Sequence, residues 1–117
     1  MNNFKKLDVW KKSISLVKRV YPLADLLPSK ERFGLYSQIT RSAVSIPSNI
    51  AEGTAKSTSK EFKRYLEIAL GSAYELETQL ILIQEMKLIQ QDVTSEISFT
   101  CEIQKMLYAL IKTQAKK

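Results

Sequence analysis

The sequence contains no histidine, and Cys101 is its only cysteine. These two residue types supply the common ligands of structural and catalytic zinc, and the His-dependent triads and dyads depend on them. We therefore expect no metal, no cofactor and no catalytic residue in this chain. A lone cysteine within an apolar helical pattern is typical of a buried structural thiol, and it fits a reducing compartment.

Long apolar runs are also missing. No stretch approaches the about 20 apolar residues that a membrane-spanning helix needs, and the first residues lack the hydrophobic segment of a signal peptide. We therefore expect a cytoplasmic protein with no membrane partner. With 117 residues, 44% of them hydrophobic, the chain is predicted to form one domain, residues 1–117, without help from disulfides.

Glycine and proline occur only three times each, and apolar residues recur at helical spacing nearly throughout. This pattern predicts an all-α fold. Four helices are expected, at residues 8–24, 31–51, 60–87 and 92–114. Because their connections are short, an up-down-up-down antiparallel four-helix bundle is the favoured architecture.

Capping residues predict where three of these helices begin or end. Asp8 is placed to cap the first helix, Thr58 or Ser59 to cap the third, and Gly53 to end the second. On the first helix, residues spaced by three and four predict the core-facing side: Leu7, Trp10, Ile14, Val17 and Tyr21. Further apolar residues widen this arc to about half the circumference, which predicts that a second surface is also covered.

Pro47 interrupts the pattern of the second helix. Proline has no N–H to offer the carbonyl of Ala43, so a helix that continues through it is expected to kink. Ile46 and Ile50 nevertheless keep helical spacing with Ala43 across the proline. The pattern therefore predicts one second helix, kinked at Pro47, and not two helices.

The opposite side of this helix carries a polar stripe. Its members are Gln38, Arg41, Ser45, Ser48, Asn49 and Glu52. Arg41 and Glu52 lie about 16 Å apart along the helix and cannot pair within it. Two interpretations stay open: a head-to-tail contact with another copy through Gln38, Arg41, Ser45, Asn49 and Glu52, or bonds to other helices of the same bundle. A catalytic interpretation is rejected because no convincing base lies beside either serine.

The formal net charge of the whole chain is +6, and the excess of positive charge lies in its first half. Residues 1–64 contain 13 Lys and Arg against 5 Asp and Glu, whereas residues 65–117 contain 5 against 7. Two basic clusters in the first half are predicted to contact the phosphates of RNA or DNA. They are Lys11, Lys12, Lys18 and Arg19 on the first helix, and Lys56, Lys60, Lys63 and Arg64 at the start of the third. The alternative is that both clusters only keep the protein soluble.

Several motifs resemble a known family. They include Leu7-Asp8-Val9-Trp10, Phe33-Gly34-Leu35, residues 41–53, Lys60-Glu61-Phe62, Gly71-Ser72 and Glu75-Leu76-Glu77. Together they are similar to the bacterial four-helix bundle proteins encoded in intervening sequences of 23S ribosomal RNA. The resemblance implies a ring-like homopentamer, related to the accessory proteins of diversity-generating retroelements, which bind nucleic acid through a basic surface.

The chain departs from the family pattern at two places. Thr40-Arg41-Ser42 stands where the family often has consecutive arginines, and Pro22 falls where its first helix usually continues. The first departure removes one positive charge from the second helix. Taken together, residues and resemblance predict a non-enzymatic homo-oligomer that binds RNA or DNA mainly through the phosphate backbone. The alternative is a protein-interaction scaffold.

Overall fold

The computed structural model of the chain describes residues 3–115 and consists, over that range, of helices, turns and short connections. Four long helices follow one another: α1 (Asp8–Ala24), α2 (Leu35–Thr54), α3 (Ser59–Glu85) and α4 (Thr94–Ala115). Short 3-10 turns at Phe4–Lys6 and Ser29–Glu31 precede α1 and α2. The all-α prediction is confirmed. None of the helices in the described range has the length and apolarity required to cross a membrane.

Contacts between neighbouring helices show that each runs antiparallel to the next. Ser45 of α2 meets Ser72 of α3, whereas Gly53, further along α2, meets the earlier Phe62 of α3. α2 packs against α1 and α3, and α4 packs against the same two helices, so α2 and α4 occupy opposite corners of the bundle. The result is an elongated body of 46 × 22 × 20 Å. One of its ends collects the start of α1, the end of α2, the start of α3 and the end of α4.

The core-facing side of α1 differs from the predicted one. Val9, Leu16, Val20 and Leu23 are buried, with Ser13 in the same stripe. The residues predicted to face the core instead lie at its edge: Leu7, Trp10, Ile14 and Val17 are half-buried, and Tyr21 is 40% exposed. The prediction was wrong because Ser13 interrupts the true core stripe. Its hydroxyl donates to the carbonyl of Trp10 at 2.7 Å, so burial leaves it no unpaired donor.

An apolar groove between α1 and α2 begins at the first turn of the chain. Trp10 meets the ring of Phe4 edge-on, with 5.2 Å between the ring centroids. Ile14 and Val17 continue the groove along α1, opposite Val44 and Pro47 of α2. The second surface expected on α1 is therefore partly covered by α2 and by the Phe4–Lys6 turn.

The observed caps agree with one prediction and correct two. The Thr58 hydroxyl accepts from the Glu61 N–H at 3.1 Å, as predicted for the start of α3. Asp8 is instead the first residue of α1, after Leu7 at the N-cap. α2 begins at Leu35, not at residue 31, and continues past Gly53 to Thr54.

Before α4, the Asp92 carboxylate accepts hydrogen bonds from the hydroxyl and the N–H of Thr94. These hydrogen bonds hold the pKa of Asp92 below its ordinary value.

Both helix-interior prolines are accommodated within continuous helices. α1 includes Pro22 in its last turn, and α2 runs unbroken across the buried Pro47. α2 is thus one helix, as predicted. The kink at Pro47 stays a prediction.

Gly53 and Gly71 are both helical, but their surroundings differ. A Cβ atom on Gly53 would lie 2.9 Å from Cδ1 of Phe62 and 2.9 Å from Cβ of Tyr65. Gly53 therefore permits close approach of α2 and α3. Among residues 3–115, a Cβ atom on Gly71 would have no atom within 4 Å apart from its chain neighbours and its own helix backbone. The described bundle therefore offers no packing reason for a glycine at position 71.

Gly53→Ala is expected to destabilise the bundle by about 1 to 3 kcal/mol, since the added methyl group overpacks a tight contact with α3. Urea unfolding followed by circular dichroism measures the change. Ser98→Ala is the control, because Ser98 is an exposed residue of α4 whose replacement removes no packing within the bundle. Equal stability of Gly53→Ala and wild type would contradict the assigned close approach.

Candidate functional site

The fold converts the charge asymmetry of the sequence into an asymmetry between the two ends of the bundle. The second basic cluster lies at the start of α3, beside the start of α1 and the end of α4. We call this region the basic end. Its cations come from three helices and two turns: Lys5, Lys6, Lys11, Lys12, Lys56, Lys60, Lys63, Arg64 and Lys112. The acidic residues at the same levels are fewer: Asp8, Glu52, Glu61, Glu67 and Glu102.

The second cluster is the part of the basic end best placed to bind an anion. In the described part of the chain, none of its four cations forms an ion pair within 4 Å. Lys60 and Arg64 are exposed, and the ammonium group of Lys56 lies 5.0 Å from the centroid of the Tyr65 ring. The nearby Glu61 carboxylate instead accepts from the hydroxyl of Thr58 at 3.1 Å. The cluster therefore keeps its positive charge at a helix N-terminus that already favours anions.

The structure divides the first cluster. Lys12 pairs with Glu102 of α4. Arg19 pairs with Glu96 of α4 at 3.2 Å, and its guanidinium lies 5.0 Å from the centroid of the Phe99 ring. Lys11 and Lys18 are exposed without an ion pair among the described residues. Two members of this cluster thus join α1 to α4, and the cluster does not form one continuous cationic surface.

Ser45 and Asn49, two members of the polar stripe, bond within the chain. The Ser45 and Ser72 hydroxyls are 2.8 Å apart, and the Asn49 amide donates to the Ser45 carbonyl at 2.8 Å and to its hydroxyl at 2.9 Å. These contacts fix α2 against α3. In the described residues, the Ser45 hydroxyl is hydrogen-bonded to the Ser72 hydroxyl and the Asn49 amide.

The remaining members of the stripe face outward. Gln38, Arg41, Ser48 and Glu52 are exposed, and the structure shows no ion pair for Arg41 or Glu52 in residues 3–114. The intrachain interpretation therefore holds for Ser45 and Asn49, whereas the head-to-tail contact stays a prediction for Gln38, Arg41 and Glu52. Part of it holds the bundle together, and the rest is available to another molecule.

A small polar groove of about 190 Å³ lies between α2 and α3 beside this stripe. Arg41 and Ser45 line one side, and Ser72, Glu75 and Gln79 line the other. Gln79 is only 8% exposed, and its Oε1 atom has no hydrogen-bond donor in the described part of the chain. Buried polar atoms are usually satisfied. This acceptor is an exception that the single chain does not explain.

Cys101 has the surroundings of a structural thiol. It is partly buried in α4, and burial raises the pKa of its thiol, with the neighbouring Glu77 carboxylate adding to the effect. At neutral pH the thiol is therefore protonated and weakly nucleophilic.

Sequence reasoning missed two features of the surface. Phe33, in the connection before α2, is 92% exposed. The only sequence signal that it lies outside a helix was its position between turn residues and Gly34. Gln79 was missed because a glutamine on the side of a helix gives no signal until the neighbouring helix is placed.

Comparisons with known proteins agree on one family. The family model of the 23S rRNA-intervening sequence protein matches residues 5–109. The chain is also similar to a crystal structure of a protein with unknown function from the S23 ribosomal protein family of Bacteroides thetaiotaomicron VPI-5482. That similarity has a TM-score of 0.78 and 32% sequence identity, and it covers 89% of this chain and 98% of the other. A comparison with curated proteins found no match.

Proposed function

Because this chain belongs to the 23S rRNA-intervening sequence protein family, we propose that it is a non-enzymatic, cytoplasmic homo-oligomer that binds RNA or DNA. Binding takes place mainly through the phosphate backbone, at the basic end. The assembly is a homopentamer, as the family resemblance implies. The main observation in support of this proposal is the second basic cluster. Its four cations form no ion pair in the described chain.

The placement of these cations supports a binding role. Lysine and arginine near a helix N-terminus are disfavoured by a few tenths of a kcal/mol each, because the helix dipole is positive there. Three of the four, Lys60, Lys63 and Arg64, lie within the first six residues of α3. Their position does not serve the stability of the helix, whereas phosphate groups at the same place would be attracted by both the side chains and the dipole.

Contacts to phosphate are favoured over contacts to bases. Phe62, which the sequence places among these cations, is buried in the core and cannot stack on a base. Tyr65 is half-buried beneath the ammonium group of Lys56. Flexible lysine side chains on a helix end reach phosphate oxygens without reading a base edge. We therefore expect little sequence preference.

Titration of wild-type protein into labelled single-stranded and duplex RNA and DNA at several salt concentrations tests the proposal. Binding should weaken steeply as salt rises, because each neutralised phosphate releases condensed counterions. Heparin is the reference polyanion in the same series. Absence of salt-sensitive binding to all four nucleic acids at low ionic strength would overturn the nucleic-acid proposal.

A second candidate function is a protein-interaction scaffold whose basic end only keeps the protein soluble. The observation that favours it is Phe33, exposed over 92% of its surface at the end of the bundle opposite the basic end. Exposed aromatic side chains are frequent anchors of protein interfaces. Heparin binding equal to nucleic-acid binding would favour this candidate.

A further inference from the structure

We propose that the outer face of α2 and α3, centred on Gly71, is the surface on which a second copy of this chain packs. The inference rests on the homo-oligomer of the proposed function. It adds the face of the chain on which the second copy packs and the residue at which the two copies approach most closely. Its starting point is a glycine in the middle of a 27-residue helix. Such a glycine weakens a helix, and in the described part of the chain a methyl group in its place would contact no other helix.

The residues around Gly71 form an exposed stripe with the spacing of a helix-packing surface. Ile68, Gly71, Glu75, Thr78 and Leu82 follow one another at intervals of three and four, and all are exposed. Intervals of three and four are typical of a helix face that packs against another helix. α3 already buries a different stripe, which includes Leu66, Ala69, Ala73, Leu76 and Leu80, in the core. The exposed stripe is therefore a second packing surface.

The polar groove extends this surface onto α2. Ser72, which follows Gly71, is bonded to Ser45, and Ser45 lies between Arg41 and Glu52 in α2. The groove also contains the Oε1 atom of Gln79, which has no donor in the described chain although the side chain is more than nine-tenths buried. A neighbouring molecule that packs here brings hydrogen-bond donors to the groove and excludes water from it.

Charge identifies the occupant as a second copy. The face is poor in charge compared with the basic end, as the central parts of protein interfaces are. This face carries charges of both signs: Arg41 is positive, and Glu52 and Glu75 are negative. The structure shows no ion pair for any of the three in residues 3–114. A nucleic acid would be repelled by the two carboxylates. A second copy of the chain carries the complementary charges, so that Arg41 of one copy faces a carboxylate of the other.

The test is the mass of Gly71→Gln in solution, measured by light scattering after size exclusion. A Cβ atom at this position contacts no other helix in the described chain, so helicity should be retained while the longer glutamine side chain blocks the close approach of a second copy. We expect a shift from the wild-type oligomer toward the 13.4 kDa chain. Ile68→Lys, one turn away on the same stripe, should have the same effect without changing a glycine.

Ser98→Gln is the matched control, because Ser98 is a small exposed residue of α4, at the corner of the bundle opposite α2. It should leave the mass unchanged. Wild-type mass for both Gly71→Gln and Ile68→Lys would overturn this inference and leave the proposed oligomer intact. A wild-type protein that is itself monomeric at micromolar concentration would overturn the oligomer as well, whereas nucleic-acid binding is measured independently of either result.

Discussion

Replacing Lys60, Lys63 and Arg64 together with glutamine is expected to weaken binding to RNA or DNA by roughly 100-fold at about 0.1 M salt. Three phosphate contacts are removed from each subunit that touches the nucleic acid, so the slope of log affinity against log salt should fall by about 2 to 3 per bound subunit. Stability should change little, since the substitutions also remove cations from a helix N-terminus. Binding titrations at four or five salt concentrations measure both quantities.

A matched control separates a local site from a general effect of net charge. Lys30, Arg32 and Lys87 are also two lysines and one arginine, all exposed, and they lie at the opposite end of the bundle. Their replacement by glutamine lowers the net charge by the same amount. Affinity should then fall far less, because only long-range attraction is reduced. Equal losses in the two triple variants would contradict a binding site at the basic end.

Charge reversal on α2 is expected to have the second large effect. Arg41→Glu or Glu52→Lys alone places like charges opposite each other at every interface of a head-to-tail oligomer, so the mass should shift toward smaller species. Neither residue has an ion-pair partner in the described chain, so the helicity of the bundle should survive. Light scattering and circular dichroism on the same samples measure the two outcomes.

The double variant Arg41→Glu/Glu52→Lys makes this test specific. If Arg41 of one copy pairs with Glu52 of the next, exchanging both charges restores the attraction and should recover part of the assembly. Loss of helicity in either single variant would instead indicate bonds within the chain. Assembly unchanged in both single variants would exclude the pair from the interface.

Most of the fold could be predicted because helical periodicity and capping are local properties. The bounds of α1 and the Thr58 cap of α3 follow from a few neighbouring residues each. The start of α2 was placed four residues early because Glu31 ends a 3-10 turn, Ser29–Glu31, that only resembles the first turn of an α-helix. Gly53 was interpreted as a helix end, since sequence alone does not show that α3 approaches it.

The orientation of α1 could not be predicted for a different reason. This helix has two apolar stripes, and the one without an interrupting serine gave the stronger pattern. The structure buries the other stripe, because the Ser13 hydroxyl bonds to the backbone of its own helix and costs little in the core. Hydrophobic spacing identifies both stripes, but the positions of α2 and α4 decide which one is buried.

Prediction of the candidate site depends on the three-dimensional fold even more than prediction of the orientation of α1 does. Lys12 and Arg19 belong to a basic cluster in the sequence, yet the chain pairs them with acidic residues about 80 to 90 positions away. The cations at the start of α3 have no such partner in the described residues. Local sequence shows charge, whereas only the packing of α4 against α1 shows which charges are already neutralised.

The position of Trp10 gives the protein a built-in optical probe. It is the only tryptophan of the chain, it is half-buried, and it lies against Phe4, whose short turn also carries Lys5 and Lys6 of the basic end. An indole ring in this position emits light that depends on how much water reaches it. Phosphate bound to the neighbouring lysines would alter that turn, so intrinsic fluorescence can report events at the basic end in unlabelled protein.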